Sequence, residues 1–260
     1  MDSLSTCKQM KFTRTRFTIL VCLLVVAAFV IQRQSAATKN AHRLGQQFKK
    51  VALCMSIYIS ASQEFPPPVI WSKSDPRIPL YSWRLPISTF MIDGGMLGPD
   101  NGSAWDTEQN SHWRKLKCEF GLNSSGDYNP DNSARILAIT GPDTAFGVSG
   151  AEGSSWSPDI VPNDTIMLIE FAKSDWHWTE PGDLDIDSIE KYIRSESQKT
   201  VDGILTGRFH VVFADFQVWA LSTKTPYKDL EPFFTKSGAA AQDRSQLLKK
   251  HCLAIVYDGG

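Results

Sequence analysis

Asp183, Asp185 and Asp187 alternate with Leu184 and Ile186 in the run GDLDID. On an extended chain that spacing sets three carboxylates on one side, where they are candidate ligands for a hard cation such as calcium. The usual calcium loop also carries a turn glycine and a distal glutamate, which Ser188, Ile189 and Glu190 do not reproduce. The competing reading is a solvated acidic turn in which Asp187 or Ser188 caps a helix through Tyr192. Just upstream, Asp175, Trp176, His177, Trp178, Glu180 and Asp183 fall within nine residues. Trp176, His177 and Trp178 are the candidate ligand contacts, because indole faces stack on sugars and an imidazole beside carboxylates can move protons. Alternation puts Asp175 and His177 on one face and Trp176 and Trp178 on the other, so a wet face over a core face explains the run equally well.

No residue is nominated as catalytic, and no cofactor is expected. Gly147-Val148-Ser149-Gly150 lacks the residue that a nucleophile elbow needs between its serine and second glycine. The chain has no HExxH, phosphate-cradling glycine loop or dinucleotide fingerprint. His42, His112, His210 and His251 stand alone in sequence. Of five cysteines, Cys7 and Cys22 belong to the N-terminal segment, which leaves Cys54, Cys118 and Cys252, an odd number that allows one disulfide at most. Their pairing stays open. Asn101, Asn123 and Asn163 are formal glycosylation acceptors that mark exposed loops.

The elements that must position these groups are of two kinds. Phe17 to Ile31 holds fifteen residues without a charge, preceded by Lys8, Lys11, Arg14 and Arg16 and followed by Arg33. As a helix the run spans ~22 Å, short of the ~30 Å hydrocarbon core of a bilayer. Retention as an anchor and cleavage before Thr38 are both open, and the basic cluster predicts a cytoplasmic N-terminus with the rest exported. Beyond the run, Leu44, Phe48, Val51, Met55 and Tyr58 recur at helical spacing, with Gln46, Gln47, Lys49 and Lys50 largely opposite. One long helix is expected, ending at Phe65 before Pro66, Pro67 and Pro68.

From residue 69 onward short apolar runs alternate with Gly, Pro, Asn and Asp, the texture of strands and long loops. The strand candidates are Arg135 to Thr140, Thr165 to Ala172, Phe209 to Leu221 with a turn or bulge at Asp215, and Leu253 to Tyr257. Two helical pieces are expected at Tyr227 to Thr235 and Ala240 to Cys252. The division is 1–35 as a cytoplasmic stub with the membrane or signal segment, and 36–260 as one exported domain.

Composition agrees with a single packed body. The chain is 42% hydrophobic and holds 8 Trp, 14 Phe and 6 Tyr, which excludes disorder for most of its length. Residues 1–50 carry nine Lys/Arg against one acidic residue, and residues 51–260 carry 27 Asp/Glu against 18 Lys/Arg. An acidic body is a poor match to a phosphate backbone, so nucleic acid is not an expected partner.

A string of short motifs resembles a planctomycete-type family of pilin-like exported proteins, a domain of unknown function also filed with bacterial extracellular solute-binding proteins. Phe65, Pro66, Pro67 looks like the family's "FPP"; Ser82, Trp83, Arg84 like its "SWR"; Ala104, Trp105, Asp106 with Asn110 like its "PWD" and later Asn. Gly141, Pro142 and Phe146 resemble "GP…F"; Asp159, Thr165, Ile166 and Glu170 resemble "DG.SNTI…E". Trp178, Pro181, Asp183, Leu184 resemble "W..P.DL", and Phe213, Ala214, Asp215 resemble "FADG". Where the family opens with "GFTLVE", this chain has Arg16 for the glycine and Val21 for the glutamate, and Phe216 replaces the glycine of "FADG". The resemblance implies an α+β, pilin-like fold, a long N-terminal helix packed on an antiparallel β-sheet with long loops. It implies a non-enzymatic, single-pass membrane-anchored envelope protein of surface or secretion-related assembly, partnered by other pilin-like or secretion-system proteins. The alternative expectation is an extracellular small-solute or glycan-binding protein.

Overall fold

Every third or fourth residue from Leu44 to Ile59 is apolar, and burying that stripe is what docks the first helix on the rest of the chain. The computed structural model describes residues 3–91, 102–118, 120, 131–147, 158–171, 174–196 and 207–259. Helix α1 (Ser3–Ser62) runs 60 residues without a break. Leu44, Phe48, Val51, Met55 and Ile59 are buried, with Tyr58 half-buried beside them. At about 2 kcal/mol for each buried side chain, the stripe contributes roughly 10 kcal/mol. Gln47, expected on the wet side, is buried as well, because the packed stripe is wider than the strict three-four spacing. The helix stops three residues earlier than the prolines suggest. Gln63 takes a left-handed φ of 61°, which ends the helix by a C-terminal turn and lets Phe65 drop into the core.

The body is α+β. Strands β1 (Val69–Trp71) and β2 (Pro79–Ser82) form a small antiparallel ribbon, followed by the short helices α2 (Arg84–Ser88) and α3 (Ser111–Lys115). The main sheet comprises β3 (Ile136–Thr140), β4 (Ile166–Glu170), β5 (Leu184–Asp185), β6 (Arg208–Phe213), β7 (Val218–Ser222) and β8 (Cys252–Tyr257), in the order β5-β3-β4-β6-β7-β8. All neighbours are antiparallel except β5 on β3. Helix α4 (Ile189–Glu196) follows β5, and α5 (Tyr227–Leu230), α6 (Lys236–Ala240) and α7 (Arg244–Leu247) lie between β7 and β8. The single helical piece expected over Ala240 to Cys252 is interrupted because Asp243 accepts a hydrogen bond from the Ser245 N–H and starts a new helix there.

Helix α1 lies on one face of the sheet, across β6, β7 and β8. His210 pairs with Ala220 in the β6–β7 ladder, and that small residue leaves room for the helix. Gly45 closes the approach, since a Cβ there would sit 2.9 Å from Val256 and 3.4 Å from His210 Nε2. On the opposite face, Arg244 of α7 lies over the rings of Phe213 (4.5 Å) and Trp219 (5.4 Å).

The β6–β7 hairpin turns through Ala214, Asp215 and Phe216. The Phe216 N–H bonds the Phe213 carbonyl at 2.8 Å, and Phe216 itself takes φ 65°. This is a turn followed by a left-handed residue, a position that ordinarily takes glycine. A left-handed conformation costs an L-residue roughly 1–2 kcal/mol. Phe216→Gly should therefore be more stable than Phe216→Ala by ~1 kcal/mol in urea unfolding, since both lose the ring and glycine alone loses the strain. Equal stability of the two variants would remove this account of the turn.

Candidate functional site

The residues that sequence reasoning proposed as a ligand platform are tied into the body one by one. Trp178 is fully buried, and Trp176 and His177 are half-buried. The Trp176 ring lies so close over Gly182 that a Cβ there would sit 2.1 Å from it, which is why a glycine follows Pro181. His177 uses both ring nitrogens. Nδ1 accepts from the Thr179 backbone N–H at 3.2 Å and lies 2.8 Å from the Thr179 hydroxyl, and Nε2 donates to the Arg114 carbonyl at 3.2 Å. Burial, chiefly, lowers its pKa, and Trp105 stacks on the ring at 5.6 Å. It is a neutral latch joining this loop to the end of α3, so the three residues do not form one open stacking surface.

The three alternating aspartates do not converge either. Asp185 and Asp187 are exposed, and the Asp187 N–H donates to Asp185 Oδ1 at 2.9 Å. The Asp183 side chain points inward and is 3% exposed. Among the described residues no group of three His, Cys, Asp or Glu is placed to hold a metal ion. The expectation of a calcium site is corrected for a physical reason: Asp183 is already bound to a buried cation of the chain itself.

That cation is Arg84. Its guanidinium is fully buried and pairs with Asp183 through Nη2 and Oδ1. Arg84 also donates to the Ile136 carbonyl (3.0 Å), the Ser82 hydroxyl (2.8 Å) and the Gly182 carbonyl (3.2 Å). Asp183 accepts in addition from the Ala138 N–H at 2.7 Å and from Trp83 Nε1 at 3.0 Å. Burial pushes the Asp183 carboxyl up to about 6 against the charge of Arg84 and these hydrogen bonds. The cluster joins α2, β3 and the loop before β5, elements far apart in sequence. Around it Trp83 meets Phe146 at 5.2 Å and Phe120 at 5.4 Å, and Phe146 meets Phe65 at 6.5 Å. Residues from four of the short motifs thus meet in one internal clamp.

A second internal cluster, not found from the sequence, lies under α1. Glu170 at the end of β4 takes a hydrogen bond from His210 Nδ1 at 2.7 Å and another from the His210 N–H at 3.0 Å, and pairs with Arg135 at 3.3 Å. All three side chains are at most 5% exposed. Burial on its own would raise the Glu170 carboxyl; the hydrogen bond and charge of His210, then the charge of Arg135, outweigh it and hold the group below its usual range. Phe48 of α1 stacks on the His210 ring at 5.3 Å. His210, isolated in sequence, is therefore a core residue that carries the helix. The signal was present in the strands: a charged or imidazole side chain inside a run such as IMLIE or FHVVF must find a partner where the sheet is covered.

Beyond this seat, α1 leaves the body. From Phe17 to Ile31 its large apolar side chains are exposed, Phe17 at 68% and Ile31 at 65%. Among the described residues no helix is long and apolar enough to cross a membrane. Cys54 and Cys118 are buried, Cys252 is half-buried and Cys22 is exposed. Asn163 lies in an exposed turn, whereas Asn101, Asn123 and residues 148–150 of the glycine-serine loop lie outside the described residues. The chain gives no match to any protein-family model, curated protein or solved structure compared with it.

Proposed function

We propose that the chain is a non-enzymatic, pilin-like protein of a bacterial envelope, held in the membrane by the exposed part of α1 with its N-terminus cytoplasmic, and acting in surface or secretion-related assembly. One observation carries the reading. A single helix is built into the core over Leu44 to Ile59 and, without interruption, presents a contiguous apolar surface over Phe17 to Ile31. Water is a poor solvent for such a surface, which far exceeds the isolated apolar side chains that soluble proteins tolerate; a lipid interior is the matching one. The run is short for a bilayer, and the difference is met by the exposed Arg33 at its outer end, reaching to the headgroups, and by local thinning. The basic cluster before it favours a cytoplasmic N-terminus. A non-catalytic body is supported by the engagement of His177, Asp183, Glu170 and His210 in internal bonds.

The test is to wash membranes of cells making the native chain with alkaline carbonate and to take the intact mass of what remains. The expected result is a chain that stays with the membranes, is released by detergent alone, and retains Phe17 to Ile31. A methylated N-terminus at Phe17 would keep the anchor and add filament-type processing. A soluble chain beginning near Thr38 would defeat the proposal and leave a secreted binding module.

A further inference from the structure

The two margins of the main sheet are built differently. At one, β5 is two residues long, ends in the exposed Asp185 and is followed by the exposed Asp187, the short charged form that discourages further strand pairing. At the other, β8 is six residues long and reads CLAIVY, with no charge and no proline. Among the described residues its only ladder partner is β7. Leu253 and Ile255 are 51% and 55% exposed; Ile255 pairs with Trp219, and Leu253 is the extra residue where the ladder to β7 shifts register between Ala220 and Leu221. An uncharged, apolar edge of this length is a template for one more strand.

We propose that β8 is the surface through which two copies of this chain join, antiparallel about a two-fold axis at Ala254, so that one sheet continues across the dimer. The occupant is a second copy because β8 is complementary to its own reverse. With Ala254 opposite Ala254 of the second copy, Leu253 faces Ile255 of the other strand, twice by symmetry. The basic segment Lys249, Lys250, His251 that precedes each strand, of which Lys250 and His251 also pair with Asp229 of their own chain, then lies beside the exposed Asp258 that follows the other. A shift of two residues to either side keeps one apolar self-pair, Leu253 with Leu253 or Ile255 with Ile255, and sets the other residue against His251 or Tyr257. The smallest side chain of the strand also falls on the axis, where the copies approach most closely. The proposal goes beyond the anchoring function and is independent of whether α1 lies in a membrane.

The experiment uses the full chain in nonionic detergent, with Cys7, Cys22 and Cys252 replaced by Ser. On mild oxidation Ala254→Cys should form a disulfide-linked dimer roughly tenfold faster than the exposed control Lys224→Cys, since directly opposed Cβ atoms lie ~5 Å apart. In sedimentation Ile255→Lys should weaken the dimer at least about tenfold while leaving the urea midpoint of the body unchanged. Cross-linking at 254 no faster than at 224 would overturn the proposal, and so would an oligomer that Ile255→Lys leaves intact. That second result would assign association to the apolar arm instead.

Discussion

Arg84→Met should destabilise the body by about 3–5 kcal/mol, because it leaves the Asp183 carboxylate buried without its counter-charge. The guanidinium and carboxylate are both out of water, and Asp183 is held where it is by Trp83 and Ala138, so it cannot turn to solvent. Removing both charges is a different matter: Arg84→Met with Asp183→Leu should recover most of the loss, since apolar replacements of a buried pair are often neutral or better. Urea unfolding read by tryptophan emission measures the cycle, with Trp83 beside the altered pair as a local reporter. A single-variant loss below about 1 kcal/mol, or additive effects, would show that the pair does not join these elements. Acid supplies a second readout. With its carboxyl pushed up to about 6, Asp183 holds its proton more tightly in the folded chain than in the unfolded one. Its contribution to stability therefore falls as pH rises from about 4 to 6 and is level above that window. Asp183→Asn should lose this slope. The penalty of Arg84→Met should shrink in acid, where the orphaned carboxyl is protonated.

The second large effect is expected in α1. Val51 is fully buried at the centre of the seat, and Val51→Asp puts an unpaired carboxylate there at a cost of several kcal/mol, roughly. Net stabilities of domains are about 5–15 kcal/mol, so a helix whose stripe supplies roughly 10 kcal/mol cannot be detached without losing the sheet it covers. The variant should be digested by protease under conditions in which the wild type resists. Gln46→Asp, one turn away on the exposed side, should change stability by less than about 0.5 kcal/mol. A melting temperature for Val51→Asp equal to that of the wild type would place the helix elsewhere than on β6, β7 and β8.

What the sequence makes legible is what depends on neighbours in the chain. The stripe of α1 and the apolar runs of β3, β4, β6, β7 and β8 show themselves by period and composition. Asp183 shows the opposite case. Locally it is indistinguishable from Asp185 and Asp187, and only topology, which brings Arg84 to it across 99 residues, makes it a buried partner. Glu170 and His210 are likewise ordinary until β4 and β6 lie side by side. The two-residue β5 pairs in parallel with β3 and is too short to announce itself. Trp83, Arg84, Phe146 and Asp183 likewise carry no local sign that they meet; the fold alone brings them into one clamp.

The unbroken course of α1 also sets a height. Between Ile31, where the apolar run stops, and Leu44, where docking begins, lie twelve residues of helix, a neck of ~20 Å. With the arm seated as proposed, the lower rim of the body stands off the lipid by more than two screening lengths at physiological salt, each ~8 Å. The neck carries Arg33, Lys39, His42 and Arg43 and no acidic residue, whereas the body beyond residue 50 has nine more acidic than basic residues. An anionic membrane surface therefore draws in the neck while its repulsion of the body is screened away. Seated as proposed, the stalk would let an acidic domain work beside a negatively charged membrane without being pushed from it.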